Sequence, residues 1–96
     1  MLILLTYDVD TTTKAGEKRL RKVAKECVNY GQRVQNSVFE CVLTEAQFVN
    51  LKAILASIID NSRDSIRFYF LGSNWQRKID SIGKLTSYDP TEALII

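Results

Sequence analysis

Arg33-Val34-Gln35-Asn36-Ser37-Val38-Phe39-Glu40-Cys41-Val42-Leu43 is the stretch on which the fold turns. It reads as a strand with apolar side chains on both faces: Phe39, Cys41 and Leu43 on one, Val38 and Val42 on the other. Successive strand residues point to opposite faces, so such a strand needs a covering layer on each side. Upstream, residues 1–9 are apolar, β-branched or aromatic with no Gly or Pro, and predict a first strand. Its faces differ: Ile3, Leu5, Tyr7 and Val9 are uniformly apolar or aromatic, whereas Leu2, Leu4, Thr6 and Asp8 grade from apolar to acidic. Between the two strands a turn over Asp10 to Thr13 leads into a helix over residues 15–30. There Leu20, Val23, Ala24, Cys27 and Val28 recur at helical spacing, and Gly31 stops the helix.

Downstream, Thr44-Glu45-Ala46-Gln47 is a capping box, in which a Thr hydroxyl and a Gln three residues on satisfy each other's backbone N–H groups. The helix it opens runs to about Ile59, carries Phe48, Leu51, Leu55 and Ile58 on its core stripe, and is closed by Asp60-Asn61-Ser62. Residues 64–71 alternate as a strand, Ile66, Phe68 and Phe70 opposing Arg67, Tyr69 and Leu71. A short pattern at about 76–82 adds another, with Ile79 as its anchor, and Trp75 near the C-terminal turns anchors the arm. This order predicts an α+β, ferredoxin-like β-α-β-β-α-β sandwich in one domain over residues 1–96, the second hairpin arm being merged into residues 33–43. Two helices cover one sheet face. In a chain of this size the other is expected to be covered by a second copy in a two-fold dimer, and the uncapped apolar tail Ala93 to Ile96 points the same way.

Composition narrows the function. With 46% hydrophobic and 25% charged residues the chain is neither a disordered tail nor a low-complexity linker. No apolar run approaches the roughly 18–20 residues of a bilayer span. The opening Met-Leu-Ile-Leu-Leu has no preceding basic segment and so is not expected to be a signal peptide, which leaves the cytoplasm as the expected location. Cys27 and Cys41 lack metal-ligand spacing and read as small core residues in a reducing compartment. The chain contains no histidine, which removes Ser-His and Cys-His nucleophilic pairs, imidazole bases and the usual zinc sites. Chemistry is left to carboxylates with a hard metal, or to Tyr, Lys and Arg.

Residues 14–33 hold Lys14, Lys18, Arg19, Arg21, Lys22, Lys25 and Arg33 against Glu17 and Glu26, a local excess of five positive charges in a chain of net +2. A basic surface of this kind suits a polyanion. The opposing reading is a solvated helix face with Glu17–Arg21 and Lys22–Glu26 as helix-spaced pairs. Asp8, at the end of the first strand on the face that grades polar, also has two readings. It either begins a turn and caps the next helix alongside Asp10, or faces its twin across a two-fold axis and shares one Mg²⁺ that activates water at a phosphate.

The opening Leu-Leu-Thr-Tyr-Asp-Val-Asp, the basic Lys18-Arg19-Leu20-Arg21-Lys22-Val23 and, above all, Gly31-Gln32-Arg33-Val34-Gln35-Asn36-Ser37-Val38-Phe39-Glu40 resemble the small CRISPR-associated endonuclease family of spacer acquisition. Asp64-Ser65-Ile66-Arg67-Phe68-Tyr69 extends the resemblance over nearly the whole chain, and its details look most like members from type I-C systems. The resemblance implies a ferredoxin-like homodimer whose C-terminal strand reaches across to the partner. It implies hydrolysis of phosphodiester bonds in double-stranded DNA or single-stranded RNA, dependent on Mg²⁺ or Mn²⁺, with Asp8 as metal carboxylate in both protomers. It further implies a scaffold that bridges two dimers of the CRISPR integrase. Tyr7, Ser37 and Phe39 are then cleft-supporting residues, and Arg33 a phosphate contact beside the basic helix residues Lys18, Arg19, Arg21 and Lys22. The competing expectation is a duplex-binding scaffold that does not cut. A ferredoxin-like regulatory domain for a small ligand is disfavoured, because no Gly-rich ligand loop is visible.

Overall fold

The computed structural model describes residues 1–71 and 79–84. Along the chain these form β1 (Leu2–Asp8), α1 (Lys14–Tyr30), β2 (Gly31–Gln35), β3 (Val38–Val42), α2 (Glu45–Ile58), β4 (Ser65–Phe70) and β5 (Ile79–Gly83). The sheet order is β2-β3-β1-β4-β5, and every neighbouring pair is antiparallel. This is the expected ferredoxin-like α+β plan, with β5 extending the sheet beyond β4.

Both helices begin where their side chains direct. The Thr13 hydroxyl accepts the Gly16 N–H at 3.1 Å and caps α1. Thr44 and Gln47 close a reciprocal capping box at α2, with bonds of 3.1 and 2.9 Å. The core is a single layer between helices and sheet. Ile3, Leu5 and Tyr7 of β1, Phe39 and Cys41 of β3, and Ile66 and Phe68 of β4 pack under Val23 and Cys27 of α1 and Leu51 and Leu55 of α2. Both cysteines are free and buried there, and burial pushes the Cys27 thiol up to about 12.

One expectation needs correction. Residues 33–43 are not one strand: Asn36 and Ser37 form a tight turn, so Arg33 belongs to β2 and Phe39 to β3. The doubly apolar pattern holds for β3 all the same, with Phe39 fully buried under the helices and Val42 76% exposed on the sheet face without helices. Leu2, its ladder partner, is exposed beside it. Trp75 and the Ala93 to Ile96 tail lie outside the described residues, and so does any exchange of a strand between protomers. No described helix is long and apolar enough to cross a membrane.

Gly31, the first residue after α1, sets how closely the helix end can turn into the sheet. A Cβ there would run into the Cys41 Sγ and lie 2.6 Å from the Glu40 carbonyl oxygen. Backbone cannot yield as a flexible side chain can, so Gly31→Ala should lower the unfolding free energy by about 1–3 kcal/mol, as overpacking does. Urea unfolding of the variant beside the wild type checks this.

Candidate functional site

β1 and β4 run antiparallel, so the end of β1 meets the start of β4, and Asp8 stands opposite Ser65 in the last pair of that ladder. Strand alternation turns Tyr7 into the core and Asp8 onto the face without helices. The Asp8 side chain is exposed, and among the described residues it makes no hydrogen bond or ion pair. The capping alternative therefore fails, since Thr13 caps α1. Thr6, Val38 and Arg67 occupy the next row on the same face.

Tyr7 and the second sequence motif meet on the helix side. The Tyr7 hydroxyl donates to the Asn36 carbonyl at 3.0 Å and its N–H to the Ser37 carbonyl at 3.1 Å, which ties the β2–β3 turn to the end of β1. Its ring stacks against Phe39, with centroids 6.2 Å apart, and the Arg33 guanidinium sits 5.2 Å from the Phe39 ring centre. Burial raises the Tyr7 phenol, more than nearby Arg33 lowers it, so at neutral pH it is a protonated donor. Tyr7, Arg33, Ser37 and Phe39 thus form one cluster, on the opposite side of β1 from the Asp8 carboxylate.

The basic stripe divides. Lys18, Arg21 and Lys22 are exposed on α1, and neither Glu17–Arg21 nor Lys22–Glu26 closes as an ion pair among the described residues. Lys18 and Lys22 line a cleft of about 360 Å³ between the helices, together with Ala15, Arg19, Ser57 and Ile58. Arg19 departs from the expected solvent-facing stripe, because its guanidinium is folded onto Asp64. The stripe lies in the helix layer and Asp8 on the opposite sheet face, so the described residues of a single chain do not bring them together.

Asp64 is the residue that sequence reasoning missed. It is fully buried, and its carboxylate accepts four hydrogen bonds. Oδ2 takes Arg19 Nε at 2.8 Å and the Asp60 N–H at 2.8 Å; Oδ1 takes the Asp10 N–H at 3.0 Å and Arg19 Nη2 at 3.4 Å. Two matching turns flank it. Asp10 Oδ1 accepts the N–H and hydroxyl of Thr12, and Asp60 Oδ1 accepts those of Ser62. Arg63 lies between them, 3.6 Å from Asp10 and 3.8 Å from Asp60. Gly16 lets α1 press against this loop, since a Cβ there would strike the Asp10 carbonyl. The one local sign in the sequence is the repeated Asp-x-Thr/Ser after β1 and after α2; the Arg19–Asp64 pair spans 45 positions and leaves no local pattern.

Burial pushes the Asp64 carboxyl up, but the Arg19 guanidinium and the Asp60 and Asp10 N–H groups outweigh it and hold it below the ordinary 3.8. A depressed folded pKa stabilises the fold above the unfolded value, and that contribution is lost as pH falls through the folded one. Asp64→Asn should therefore cost about 3–5 kcal/mol at neutral pH, because it leaves Arg19 without its buried partner. The difference from wild type should shrink on acidification below pH 3.8. Urea unfolding across that range measures both.

With this geometry in place, the comparisons with known proteins are specific. The family model described as CRISPR associated protein Cas2 matches residues 1–79. A relative named CRISPR-associated endonuclease Cas2, from Halalkalibacterium halodurans, is 55% identical over 95 residues, 99% of each chain. One named CRISPR-associated endoribonuclease Cas2, from Nitratidesulfovibrio vulgaris, is 49% identical over 96 residues, covering 100% of this chain and 94% of its own. A crystal structure of Streptococcus pyogenes Cas2 superposes with a TM-score of 0.71 at 64% identity, covering 86% of this chain and 100% of that one.

Proposed function

Because this chain belongs to the CRISPR-associated protein Cas2 family, we propose that it is an endonuclease of CRISPR adaptation, hydrolysing phosphodiester bonds with Asp8 at the reacting centre. The observation that carries this reading is the Asp8 carboxylate itself: exposed, free of bonds among the described residues, and held at a strand end. Relatives are named for endonuclease and for endoribonuclease activity, so double-stranded DNA and single-stranded RNA are both substrates to test. Membership of the type I-C subgroup is part of the same reading and rests on the sequence motifs.

A lone carboxylate without competing bonds fits Mg²⁺, or Mn²⁺ in its place, since Mg²⁺ keeps most of its waters and takes one or two protein carboxylates. Among the described residues no three His, Cys, Asp or Glu side chains converge as ligands. In this reading the second carboxylate is Asp8 of the partner subunit, in a two-fold dimer closed over the sheet face without helices, where Leu2 and Val42 are exposed. Such an ion, when bound, lowers the pKa of its water and offsets charge developing on the phosphate. The chain's own residues do the rest. Asp8 supplies the hard oxygen donor. Lys18, Arg21, Lys22 and Arg33 hold the sugar-phosphate backbone, while Tyr7, Ser37 and Phe39 fix the turn beside the site. Tyr7 is no base, because its phenol is raised and already donates to Asn36.

Asp8→Asn should abolish metal-dependent cutting while leaving duplex affinity intact, read from cleavage of double-stranded DNA with Mg²⁺, Mn²⁺ and EDTA compared. Equal cutting by the variant would sink the assignment. Binding should also weaken steeply with salt. Replacing Lys18, Arg21 and Lys22 by Gln should flatten the slope of log K against log[salt] by about 0.9 for each phosphate no longer neutralised. An unchanged slope would remove these residues from the interface.

One observation favours a second reading. The basic stripe and Asp8 occupy opposite layers of the chain, which suits a scaffold that holds a duplex on its helices and bridges integrase subunits without cutting. In that case Asp8→Asn still supports spacer integration by the integrase; complete loss of integration counts against it.

A further inference from the structure

We propose that Asp64 and Arg19 form a latch that positions Asp8, and that Arg19 serves the reaction through Asp64 and not by touching nucleic acid. This rests on the assignment of Asp8 above. Asp8 lies between two points gripped by one carboxylate. Two residues beyond it, the Asp10 N–H is held by Asp64 Oδ1 at 3.0 Å. Across the ladder, its partner Ser65 is the residue bonded covalently to Asp64. The Asp60 N–H, on Oδ2 at 2.8 Å, fixes the approach to β4 from the other side. The last pair of a ladder is where a sheet frays first, and here that pair carries the reactive carboxylate.

Arg19 is committed to this task by its geometry. Nε and Nη2 both point at Asp64, and the side chain is only 17% exposed, whereas its neighbours Lys18, Arg21 and Lys22 are exposed. A buried carboxylate with two backbone donors still needs a counter-charge, and no other described cation pairs with Asp64. Arg19 and Asp64 are thus positioning residues. Loosening them lets the Asp8 carboxylate wander, and a misplacement near 1 Å costs on the order of a hundredfold in rate.

The test compares Arg19→Lys, Asp64→Asn and their double variant with the full-length wild type, each checked for folding by thermal melting. Lysine keeps the charge but loses the two-pronged bond. The latch predicts a fall in kcat of about tenfold or more with KM and duplex affinity unchanged, and a double variant no worse than the poorer single one. A raised KM at unchanged kcat in Arg19→Lys overturns the latch in favour of a direct phosphate contact. Should Asp64→Asn fail to fold, Arg19→Lys carries the kinetic comparison. Amide exchange in the wild type adds a reading without any variant: the Asp10 and Asp60 N–H groups should be protected, and free exchange at both overturns the latch. Asp8→Asn separates the failures. If it abolishes cutting while Arg19→Lys keeps wild-type kcat, the latch alone falls; if it cuts normally, the Asp8 assignment falls and takes the latch with it.

Discussion

A fully buried carboxylate sits at the point where the first crossover connection of this fold leaves the sheet and the second returns to it. Taking Asp64 and its partner out of water costs several kcal/mol per ion, and the cost is offset because every acceptor position is filled: two by Arg19, one each by Asp10 and Asp60. The loop leaving β1 and the loop entering β4 are thereby joined through a side chain that belongs to neither helix nor sheet. The helix layer is joined as well, since Arg19 comes from α1. Sheet register, helix placement and the two Asp-x-Thr/Ser turns share this one anchor. An apolar residue in its place could fill the volume but could not hold two backbone N–H groups.

The second constraint is the asymmetry of the sheet. All the large buried apolar side chains of β1 and β3 point to one face, and the opposite face shows Val42, Leu2 and the Asp8 carboxylate. Strand alternation alone separates Tyr7 from Asp8, the first turned into the core and the second out of it. Neighbours in sequence are thus divided between the core and the sheet face without helices. Under the proposed function, the basic stripe and Asp8 are joined by geometry that extends past one chain.

Much of this was legible in the sequence because it is local. The capping box at Thr44, the helical spacing of Val23 and Cys27, and the alternation through Ile66 and Phe68 each report on neighbours within a few residues. The break inside 33–43 was hidden because Asn36-Ser37 carries neither Gly nor Pro, and because valines on both arms make the stretch read as continuous. Asp8 could be placed at a strand end, but its freedom from capping depended on Thr13 taking that role. Asp64 and the diversion of Arg19 left no sign beyond the repeated Asp-x-Thr/Ser turns that flank them. A charge on a basic helix and an acid before a strand look solvated until the fold brings them within hydrogen-bonding distance.

The two buried thiols give the protein a built-in clock. Cys27 on α1 and Cys41 on β3 are sealed in the interface between helix and sheet, and with Cys27 raised to about 12 almost none of it is thiolate at neutral pH. An alkylating reagent can reach them only when the packing between helices and sheet opens. The rate at which the thiols disappear therefore counts those openings, and it does so in the intact protein without a label or a mutation.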